Sequence, residues 1–589
     1  MSKKRLALTW FNQDKALLPT PNGGYEWVER NDTRVNEVRL LRETDRVGEV
    51  SGTPADNLLI VGDSFSALRS LASIPEYATE IKGKVKLVYI DPPFNTGQTF
   101  DDYNDNFEHS IWLSAFRDRL RLLRTLLRPD GTIWVHLDDE EIHRARVVMD
   151  EEFGADRHLA TVTWQRTTAK TLASTSMAAM YEQILVYGAS EAADLKPLFI
   201  GLDATYVAKR FTNIDERGLY DTGDLTATSY RPHLDSGKPW RGINPSDKRR
   251  CWAVPTGPLK DVGLPSSEIK ALTMQEKLDA LDAHGYIHWP SNGGLPRFKK
   301  YAHKARGRAV GDLWTDITVI NSQAQERTGF ATQKPEALIK RVMEMSTEAG
   351  DLVVDCYAGS GTTAAAAHKF GRRWVTIERE RESVDKYIVP RLSSVVAGTE
   401  EGGITLTNER VASIDLPNGV TPAGLDEARK VLEKLVEAGA LDCDNEQLEA
   451  AIKQMKTKPS KDRLWNGGGG FRVLRVESPN LEEVGGRPFL KDTVKDLGPF
   501  IAAQLGYSLT SDRQGVAGVK NRDVLVVVEG IVDEDQLRQA VSLLSDDETV
   551  TVAGLAVHPL AASQLAEMRT GSRVIKVPNG LFKQSKVIR

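Results

Sequence analysis

The sequence has little of what marks secreted, membrane-spanning or metal-binding proteins. It contains only three cysteines, and none has a partner at the short spacing of a disulfide framework or a zinc ribbon. No run of about 18 apolar residues occurs, and the apolar stretch 6–11 is too short for the core of a signal peptide. His284 and His288 lack the glutamate of an HExxH motif, so no metal site is expected. These absences predict a cytoplasmic protein without a membrane segment.

Length and composition indicate an ordinary globular protein of several domains. Of its 589 residues, 40% are hydrophobic and 27% are charged. One hydrophobic core rarely serves more than about 300 residues, so we expect about three or four domains. The net charge is −5, but residues 159–330 hold 22 lysines and arginines against 18 acidic residues. A mildly basic segment in an acidic chain predicts one local surface that faces an anion.

Strand-like and helix-like segments alternate in two parts of the chain. Apolar runs at 57–61, 86–90 and 132–137 are separated by segments with helical spacing, and the alternation resumes over 335–378. Such alternation predicts α/β structure, namely a doubly wound, parallel, Rossmann-like sheet. Residues 159–325 interrupt the pattern with loops rich in tryptophan, proline and glycine. We therefore predict one α/β domain that is split by an insertion.

These changes of pattern divide the chain into six predicted segments. Two of them are the halves of the α/β domain, and a glycine run at 467–470 indicates a flexible joint before the last segment. The six are an N-terminal extension (1–54), a first α/β half (55–158), the insertion (159–325), a second α/β half (326–398), a helical linker region (399–470) and a C-terminal α/β module (471–589).

A glycine-rich turn follows one of the predicted strands. Gly359, Ser360 and Gly361 allow the backbone to approach a ligand closely, but the lysine of a Walker loop is absent. Asp355 precedes the turn, where it repels a pyrophosphate but suits the amino group of a methionine moiety. Glu378 lies at the end of the next strand, where an acid can bind both hydroxyls of a ribose. The pattern therefore favours S-adenosylmethionine over NAD.

A second motif, Asp91-Pro92-Pro93-Phe94, ends a predicted buried strand. Ligands of parallel sheets bind at this edge. The two prolines fix the backbone and leave the carbonyl of Pro92 free, Asp91 adds a second acceptor, and Phe94 offers a flat surface. Two acceptors beside an aromatic ring suit a planar exocyclic amine. The alternative is a rigid turn without a chemical role.

Together these motifs resemble those of the amino-methylating DNA methyltransferases, whose signature is D/N/S-P-P-Y/F/W. The order of catalytic motif, insertion and cofactor glycines is similar to the β group of that family, and the insertion stands where the family has its target-recognition domain. Residues 91–97, 333–336, 358–363 and 470–476 are similar to segments of the modification subunits of type III restriction systems. Phe94 departs from those subunits, which usually have tyrosine there.

The resemblance implies a site-specific DNA methyltransferase that acts in restriction or phage defence. It would transfer a methyl group from S-adenosylmethionine to the N6 amine of a flipped-out adenine. Asp91 and the carbonyl of Pro92 would hold the amine hydrogens, and Phe94 would stack on the base. Asp63 would contact the adenine of the cofactor; alternatively, it is only a helix cap. The predicted cofactor-binding residues are Asp63, Lys334, Asp355, Tyr357, Gly359, Ser360, Gly361, Thr362 and Glu378.

Two other functions remain open. One is methylation of the N4 amine of cytosine, for which the family tends to use serine in place of Asp91. The other is a DNA-binding recruitment subunit without activity. Methylation at C5 of cytosine is excluded, since it needs a Pro-Cys nucleophile that the chain lacks.

Basic residues of the insertion are candidates for phosphate contacts, because lysine and arginine neutralise the DNA backbone. A solvated charged surface is the alternative. The candidates are Lys248, Arg249, Arg250, Arg297, Lys299, Lys300, Lys304, Arg306 and Arg308. The expected partners are double-stranded DNA and, as the resemblance implies, a second copy of the chain and a helicase-nuclease subunit.

Overall fold

Two compact units make up the chain in the computed structural model. The large unit comprises residues 1–198, 310–407 and 461–589, and the small unit comprises 199–309 and 408–460. The structure describes residues 7–20, 24–96, 98–99, 104–105, 107–167, 179–202, 204–291, 293–305, 307–407, 410–416, 420, 422–438, 445–460, 462–484, 487–491, 494, 496–510 and 512–582.

The large unit is built on a ten-stranded sheet. Its strands, in chain order, are β1 (Leu41–Gly48), β2 (Asn57–Val61), β3 (Val85–Ile90), β4 (Leu127–Leu137), β5 (His158–Gln165), β6 (Tyr181–Gly188), β7 (Leu313–Trp314), β8 (Leu352–Asp355), β9 (Arg373–Glu378) and β10 (Gly470–Val476). Their spatial order is β7-β5-β6-β4-β3-β8-β9-β2-β10-β1. The six strands from β4 to β10 in this order are parallel to their neighbours, whereas β6 and β1 add antiparallel pairs on either side.

Helices cover both faces of this sheet. The helices are α1 (Ser64–Ser73), α2 (Pro75–Ile81), α3 (His109–Leu126), α4 (Ile142–Met149), α5 (Glu336–Ser346), α6 (Thr362–Lys369) and α7 (Val389–Ala397). The first four share one hydrophobic cluster with the sheet, and the last three share a second cluster. Central strands are apolar throughout because both of their faces are buried. The doubly wound α/β fold predicted from the alternation is confirmed.

Several strands of the large sheet come from segments that the sequence analysis placed outside the α/β domain. β5, β6 and β7 lie within the predicted insertion, but they pair in the large sheet, and the small unit begins only at residue 199. β1 belongs to the predicted N-terminal extension. β10 opens the predicted C-terminal module, yet it lies between β2 and β1. The physical reason is pairing between distant segments, which leaves no periodicity in the sequence.

The large unit also contains three hairpins, a short helix (Arg381–Ser383) and a C-terminal module. An N-terminal hairpin pairs Ala16–Pro19 with Tyr25–Val28, and two more hairpins pair Gln98–Thr99 with Asn104–Asp105 and Leu481–Val484 with Arg487–Leu490. The C-terminal module has a five-stranded sheet and three helices. Its strands are Ser508–Leu509, Gly518–Lys520, Asp523–Val532, Thr549–Val557 and Arg573–Lys576, and its helices are Leu497–Leu505, Glu534–Ser542 and Ala561–Met568.

The small unit has its own hydrophobic core, formed largely by tryptophan, tyrosine and leucine side chains. Its main sheet has four antiparallel strands, in the order Asn213–Asp215, Gly218–Asp224, Arg297–Tyr301 and Ile287–His288. Paired short strands are Phe199–Ile200 with Arg308–Ala309, Thr226–Ala227 with Cys251–Trp252, and Arg410–Ala412 with Thr457–Pro459. Its helices are Ala204–Arg210, Thr256–Asp261, Ser266–Ala271, Met274–Ala283, Pro422–Glu437 and Asn445–Gln454. Among the described helices of both units, none is long and apolar enough to cross a membrane.

Candidate active site

A cavity of about 390 Å³ lies at the carboxyl ends of the parallel strands in the large unit. Because parallel strands end at the same edge, this edge gathers polar residues that are far apart in sequence. The volume is in the range of small-molecule sites, about 300–1,000 Å³. The predicted residues that line it are Asp63, Asp91, Pro92, Pro93, Phe94, Lys334, Asp355, Tyr357, Gly359, Ser360, Thr362 and Glu378.

The glycine-rich turn between β8 and α6 has the backbone geometry that the sequence predicted. Gly359 and Gly361 adopt positive φ angles of 53° and 74°, values that residues with a side chain rarely adopt. A Cβ atom at Gly359 would lie 3.2 Å from the ring of Phe330, and one at Gly361 would lie 3.1 Å from Ile388. The turn therefore needs glycine at both positions. Gly361 shapes the turn, although it is not one of the residues that line the cavity.

Glu378 is fixed at the end of β9 by backbone groups. Its Oε2 accepts a hydrogen bond from the N–H of Gly359 at 2.8 Å, and its Oε1 accepts bonds from Arg379 at 2.9 Å and Glu380 at 3.1 Å. Burial nevertheless raises the pKa of Glu378 above its ordinary value. A pair of hydroxyl donors from a ligand would stabilise the ionised form, in agreement with the predicted ribose contact.

Asp355 is a buried carboxyl with few partners in the protein. It is 3% exposed and accepts a hydrogen bond from the N–H of Tyr357 at 3.0 Å. Burial, reinforced by the carboxylates of Asp91 and Glu378, raises the pKa of Asp355 to about 7. A cation in the cavity would restore its charge at neutral pH. The site thus suits the ammonium group of a methionine moiety.

Asp63 both caps a helix and lines the cavity. One of its oxygens accepts a hydrogen bond from the N–H of Ser66 in the first turn of α1, at 3.1 Å. The other accepts a bond from Arg119 Nη2 at 2.7 Å, and Arg119 Nε also donates to Ser64 Oγ at 2.6 Å. The helix cap and the cofactor contact are therefore compatible. Arg119, which fixes the carboxylate, was not predicted.

The Asp-Pro-Pro-Phe motif is held from two sides. The indole Nε1 of Trp112 donates a hydrogen bond to the carbonyl of Pro93 at 2.7 Å. Asp91 Oδ2 accepts a hydrogen bond from Lys334 Nζ at 2.8 Å. The other oxygen, Oδ1, is buried and has no hydrogen-bond partner among the residues that the structure describes. Asp91 is thus a residue of the cavity lining whose carboxyl group keeps one acceptor without a partner among the described residues.

Lys334 was predicted to bind the cofactor, and the structure places its ammonium beside the catalytic motif. Besides Asp91, it lies 3.7 Å from Glu182 Oε2 and 4.8 Å from the ring centroid of Phe94. Its side chain lines the same cavity, and its carbonyl accepts a hydrogen bond from Thr362 Oγ1 at 3.1 Å. The segment before α5 therefore joins the two motifs that the insertion separates in sequence.

Sequence reasoning missed two residues, Asn95 and Glu141, whose hydrogen bonds support the Asp-Pro-Pro-Phe motif. Asn95 follows Phe94 with a φ of 65°, and its amide donates to the buried Glu141 at 2.8 Å. Its Oδ1 accepts a hydrogen bond from the N–H of Phe107 at 2.7 Å. Asparagine tolerates this left-handed conformation better than most residues, so its place after Pro-Pro-Phe was a usable signal. Glu141 gave none, because its partners are distant in sequence.

The N-terminal hairpin also supplies a wall of the cavity. Tyr25 lines it together with Phe107, and their rings lie 6.1 Å apart in an edge-to-face arrangement. Arg379, next to Glu378, approaches the Tyr25 ring at 5.9 Å and donates to its hydroxyl at 3.4 Å. Nothing in the sequence indicated that this segment reaches the site.

The predicted DNA-binding residues all belong to the small unit, and many are paired with acids. Ion pairs of 2.7–3.6 Å join Arg250 and Arg297 to Asp224, Lys299 to Asp215, and Lys304 to Asp261. Within the part of this unit that the structure describes, Lys248, Arg249, Lys300 and Arg308 form no ion pair. Arg306 lies outside the described residues. Lys248, Arg249, Lys300 and Arg308 are therefore the best candidates for the predicted phosphate contacts.

Comparison with known proteins indicates the family to which the chain is similar. A model described as DNA methylase, N6_N4_Mtase, matches residues 85–389. The chain is 30% identical over 412 residues to the "Probable type III restriction-modification enzyme HindVI Mod subunit" of Haemophilus influenzae, covering 61% of this chain and 53% of that protein. It is 29% identical over 355 residues to the type II methyltransferase M.EcaI of Enterobacter cloacae, covering 59% and 73%.

The chain spans about half the length of the first of these relatives. Among solved structures, the PvuII DNA methyltransferase (cytosine-N4-specific) is 15% identical, with 57% of this chain and 88% of that chain covered and a TM-score of 0.30. The matched residues 85–389 include the Asp-Pro-Pro-Phe motif, Lys334, the glycine-rich turn and Glu378.

Proposed function

Because this chain belongs to the DNA methylase family described by the N6_N4_Mtase model, we propose that it is a site-specific DNA methyltransferase acting on the N6 amine of adenine. One observation carries the proposal. Asp91, whose carboxylate keeps one oxygen without a hydrogen-bond partner among the described residues, lines the same cavity as the glycine-rich turn and Glu378. An acceptor for an amine and a site for a methyl donor thus share one space.

The residues present fit S-adenosylmethionine. Asp355 offers a buried carboxylate to its ammonium, Glu378 offers two oxygens to its ribose, and Asp63 offers one to its adenine amine. When bound, S-adenosylmethionine supplies a methyl group on a positively charged sulfur, whose bond to carbon breaks as the amine nitrogen bonds to that carbon. A cation beside Asp355 also relieves the penalty of its burial.

The protein's part in the reaction is to hold the amine. A base inside a duplex cannot reach this edge, so the adenine must rotate out of the stack. Asp91 Oδ1 accepts one amine hydrogen and the carbonyl of Pro92 accepts the other, which directs the nitrogen lone pair away from both acceptors. Phe94 stacks on the ring. The surplus proton on the amine passes to Asp91 and then to solvent. Because the methyl group on a positively charged sulfur is already easy to transfer, alignment of the amine provides most of the catalysis.

Adenine is favoured over cytosine by the aspartate at position 91, since the family tends to use serine there for the N4 amine of cytosine. The relative named as the HindVI Mod subunit also supports a place in restriction-modification. From the resemblance to type III modification subunits, we also propose that the chain forms a homodimer and works with a helicase-nuclease subunit. An inactive recruitment subunit is the rival, and an intact Asp91-Pro92-Phe94 set argues against it.

The test uses the full-length protein, tritiated S-adenosylmethionine and unmethylated bacteriophage DNA. Digestion to nucleosides is expected to place the label in N6-methyladenine, with N4-methylcytosine at trace level. Label mainly in N4-methylcytosine would overturn the base assignment alone. Cofactor binding without any transfer would favour the recruitment subunit. Methylation-sensitive sequencing of the product gives the recognition motif.

A pair of variants separates the two halves of the site. Asp91→Ala is expected to abolish transfer while the Kd for S-adenosylmethionine stays within a few-fold, because Asp91 faces the base. Asp355→Ala is expected to weaken cofactor binding itself. Asp139→Ala, on the exposed loop after β4, serves as the control. Equal loss of cofactor affinity in the first two variants would contradict this division.

A further inference from the structure

A row of buried ionisable side chains lies next to the Asp-Pro-Pro-Phe motif. The Tyr89 hydroxyl and His136 Nδ1 lie 2.8 Å apart, and His136 Nε2 lies 2.8 Å from Glu182 Oε2. These residues occupy the neighbouring strands β3, β4 and β6, and each is at most 4% exposed. Lys334 Nζ ends the row, 3.7 Å from Glu182 and 2.8 Å from Asp91. The row thus leads from the interior of the sheet to the proposed catalytic carboxylate.

The ammonium of Lys334 stays charged although it is buried. Burial by itself lowers a lysine pKa, but the carboxylates of Asp91 and Glu182 outweigh it and raise the pKa of Lys334 above its ordinary value. Glu182 is stabilised in turn. Against the effect of burial, Lys334, His136 and Arg166 hold the pKa of Glu182 well below its ordinary value. The buried ammonium of Lys334 therefore lies between the carboxyl groups of Asp91 and Glu182.

This cation touches both residues that are proposed to hold the base. It donates a hydrogen bond to Asp91 Oδ2 and lies over the ring of Phe94, whose centroid is 4.8 Å away. Oδ1 is thereby the oxygen of Asp91 left for an amine. The ammonium lies over one face of the Phe94 ring, so we expect a base to stack on the opposite face. Both contacts restrict where the amine nitrogen of a bound base can lie.

We propose that Lys334 is a positioning residue for methyl transfer, which orients Asp91 and selects the stacking face of Phe94 instead of binding the cofactor. This inference rests on the proposed function. Without the ammonium, the Asp91 carboxylate loses the hydrogen bond at Oδ2 and can rotate away from the amine.

The first test compares Lys334→Met and Lys334→Arg with Lys340→Met, a control on α5 whose partly exposed side chain contacts Glu344. Single-turnover methyl transfer is measured at pH 7, and the Kd for S-adenosylmethionine is measured by calorimetry. Misplacement of reacting atoms by about 1 Å can cost about a hundredfold in rate. Lys334→Met is therefore expected to slow transfer about a hundredfold at pH 7, with the cofactor Kd within threefold. Lys334→Arg keeps a cation beside Asp91 and is expected to retain most of the rate.

A double variant keeps the inference testable if Lys334→Met alone is poorly folded. Asp91→Asn/Lys334→Met removes the charge that Lys334 balances and keeps an acceptor oxygen at position 91. If Lys334 acts through Asp91, the loss of rate in the double variant is smaller than the two single losses combined, because coupled effects do not add. Additive losses would overturn the inference.

The outcomes also separate this inference from the proposed function. A wild-type protein that methylates no DNA contradicts the proposed function itself. A wild-type protein that methylates adenine, with a Lys334→Met variant of unchanged rate, contradicts only the positioning role. A Lys334→Met variant that loses cofactor affinity in proportion to rate returns Lys334 to the cofactor site, as the sequence predicted.

Discussion

Glu336 and Arg391 form a buried ion pair that ties the segment following Lys334 to the glycine-rich turn. Arg391 Nη2 donates to Glu336 Oε1 at 2.9 Å, and its Nη1 donates to Thr362 Oγ1 at 2.9 Å and to the carbonyl of Ser360 at 3.3 Å. Lys369 Nζ donates to both oxygens of Glu336, at 3.0 and 2.8 Å. One carboxylate therefore holds together groups on α5, α6 and α7, and with them the cofactor side of the cavity.

Loss of this carboxylate is expected to be costly. Glu336→Gln leaves two buried cations with weaker partners, and breaking a buried pair typically costs about 3–5 kcal/mol. We expect a lower unfolding midpoint in denaturant and weaker cofactor binding, because the turn loses its anchor. Glu344→Gln on the same helix is the control, since its pair with Lys340 is partly exposed and should contribute less than about 1 kcal/mol. Equal effects of the two substitutions would contradict the anchoring role.

Cofactor affinity is expected to depend on pH through Asp355. Its pKa of about 7 in the free protein means that it is largely protonated below pH 7 and largely ionised above it. A ligand ammonium favours the ionised form, so S-adenosylmethionine should bind more weakly as the pH falls, by up to about tenfold per pH unit below 7. Calorimetry from pH 5.5 to 8.5 measures this. Asp355→Asn should bind weakly at every pH, and a slope that survives in this variant would assign the titration to another group.

The N-terminal hairpin is expected to contribute to cofactor binding. Tyr25→Ala removes an aromatic wall, and an aromatic interaction of about 1 kcal/mol corresponds to a roughly fivefold higher Kd for S-adenosylmethionine when it is removed. Trp27→Ala is the matched control, since Trp27 lies on the same strand and packs against Phe11 instead of lining the cavity. If both variants bind as tightly as the wild type, Tyr25 is only a structural residue.

Salt dependence of DNA binding should distinguish the two sets of basic residues. Lys248→Gln, Arg249→Gln and Lys300→Gln remove cations that have no ion pair in the described part of the small unit. Each substitution that removes a cation from a DNA phosphate should flatten the slope of log affinity against log salt by about 0.9. Lys299→Gln should leave the slope unchanged, because its ammonium is bound to Asp215 at 2.7 Å. A slope that flattens for Lys299→Gln but not for the other three variants would contradict the choice of phosphate-binding residues.

The site was predictable where chemistry is encoded in short runs of sequence. Asp91, Asp355 and Glu378 each end a buried strand, and parallel strands bring such ends to one edge. The pairing of Lys334 with Asp91 was not predictable, since it depends on how the segment before α5 returns to β3. The same limit applies to Tyr25, whose position depends on the docking of a separate hairpin.

The fold was predictable in its central part and less so at its margins. β2, β3, β4, β8 and β9 are apolar runs between helices, which is the pattern of strands covered on both faces. β5 alternates partly exposed threonines with buried residues, so it resembles the loops around it. β10 is apolar, but nothing local indicates that it pairs with strands from the start of the chain.

The position of β10 also governs how the protein can be made. β2 is complete early in translation, whereas its neighbour β10 emerges only once Val476 has been synthesised, after both halves of the small unit. Until then β2 carries an open row of backbone donors and acceptors, which invites pairing with other chains. Contacts between such distant segments also form slowly. A nascent chain that stalls before residue 476 therefore carries the whole cofactor turn but an open sheet, and we expect it to aggregate.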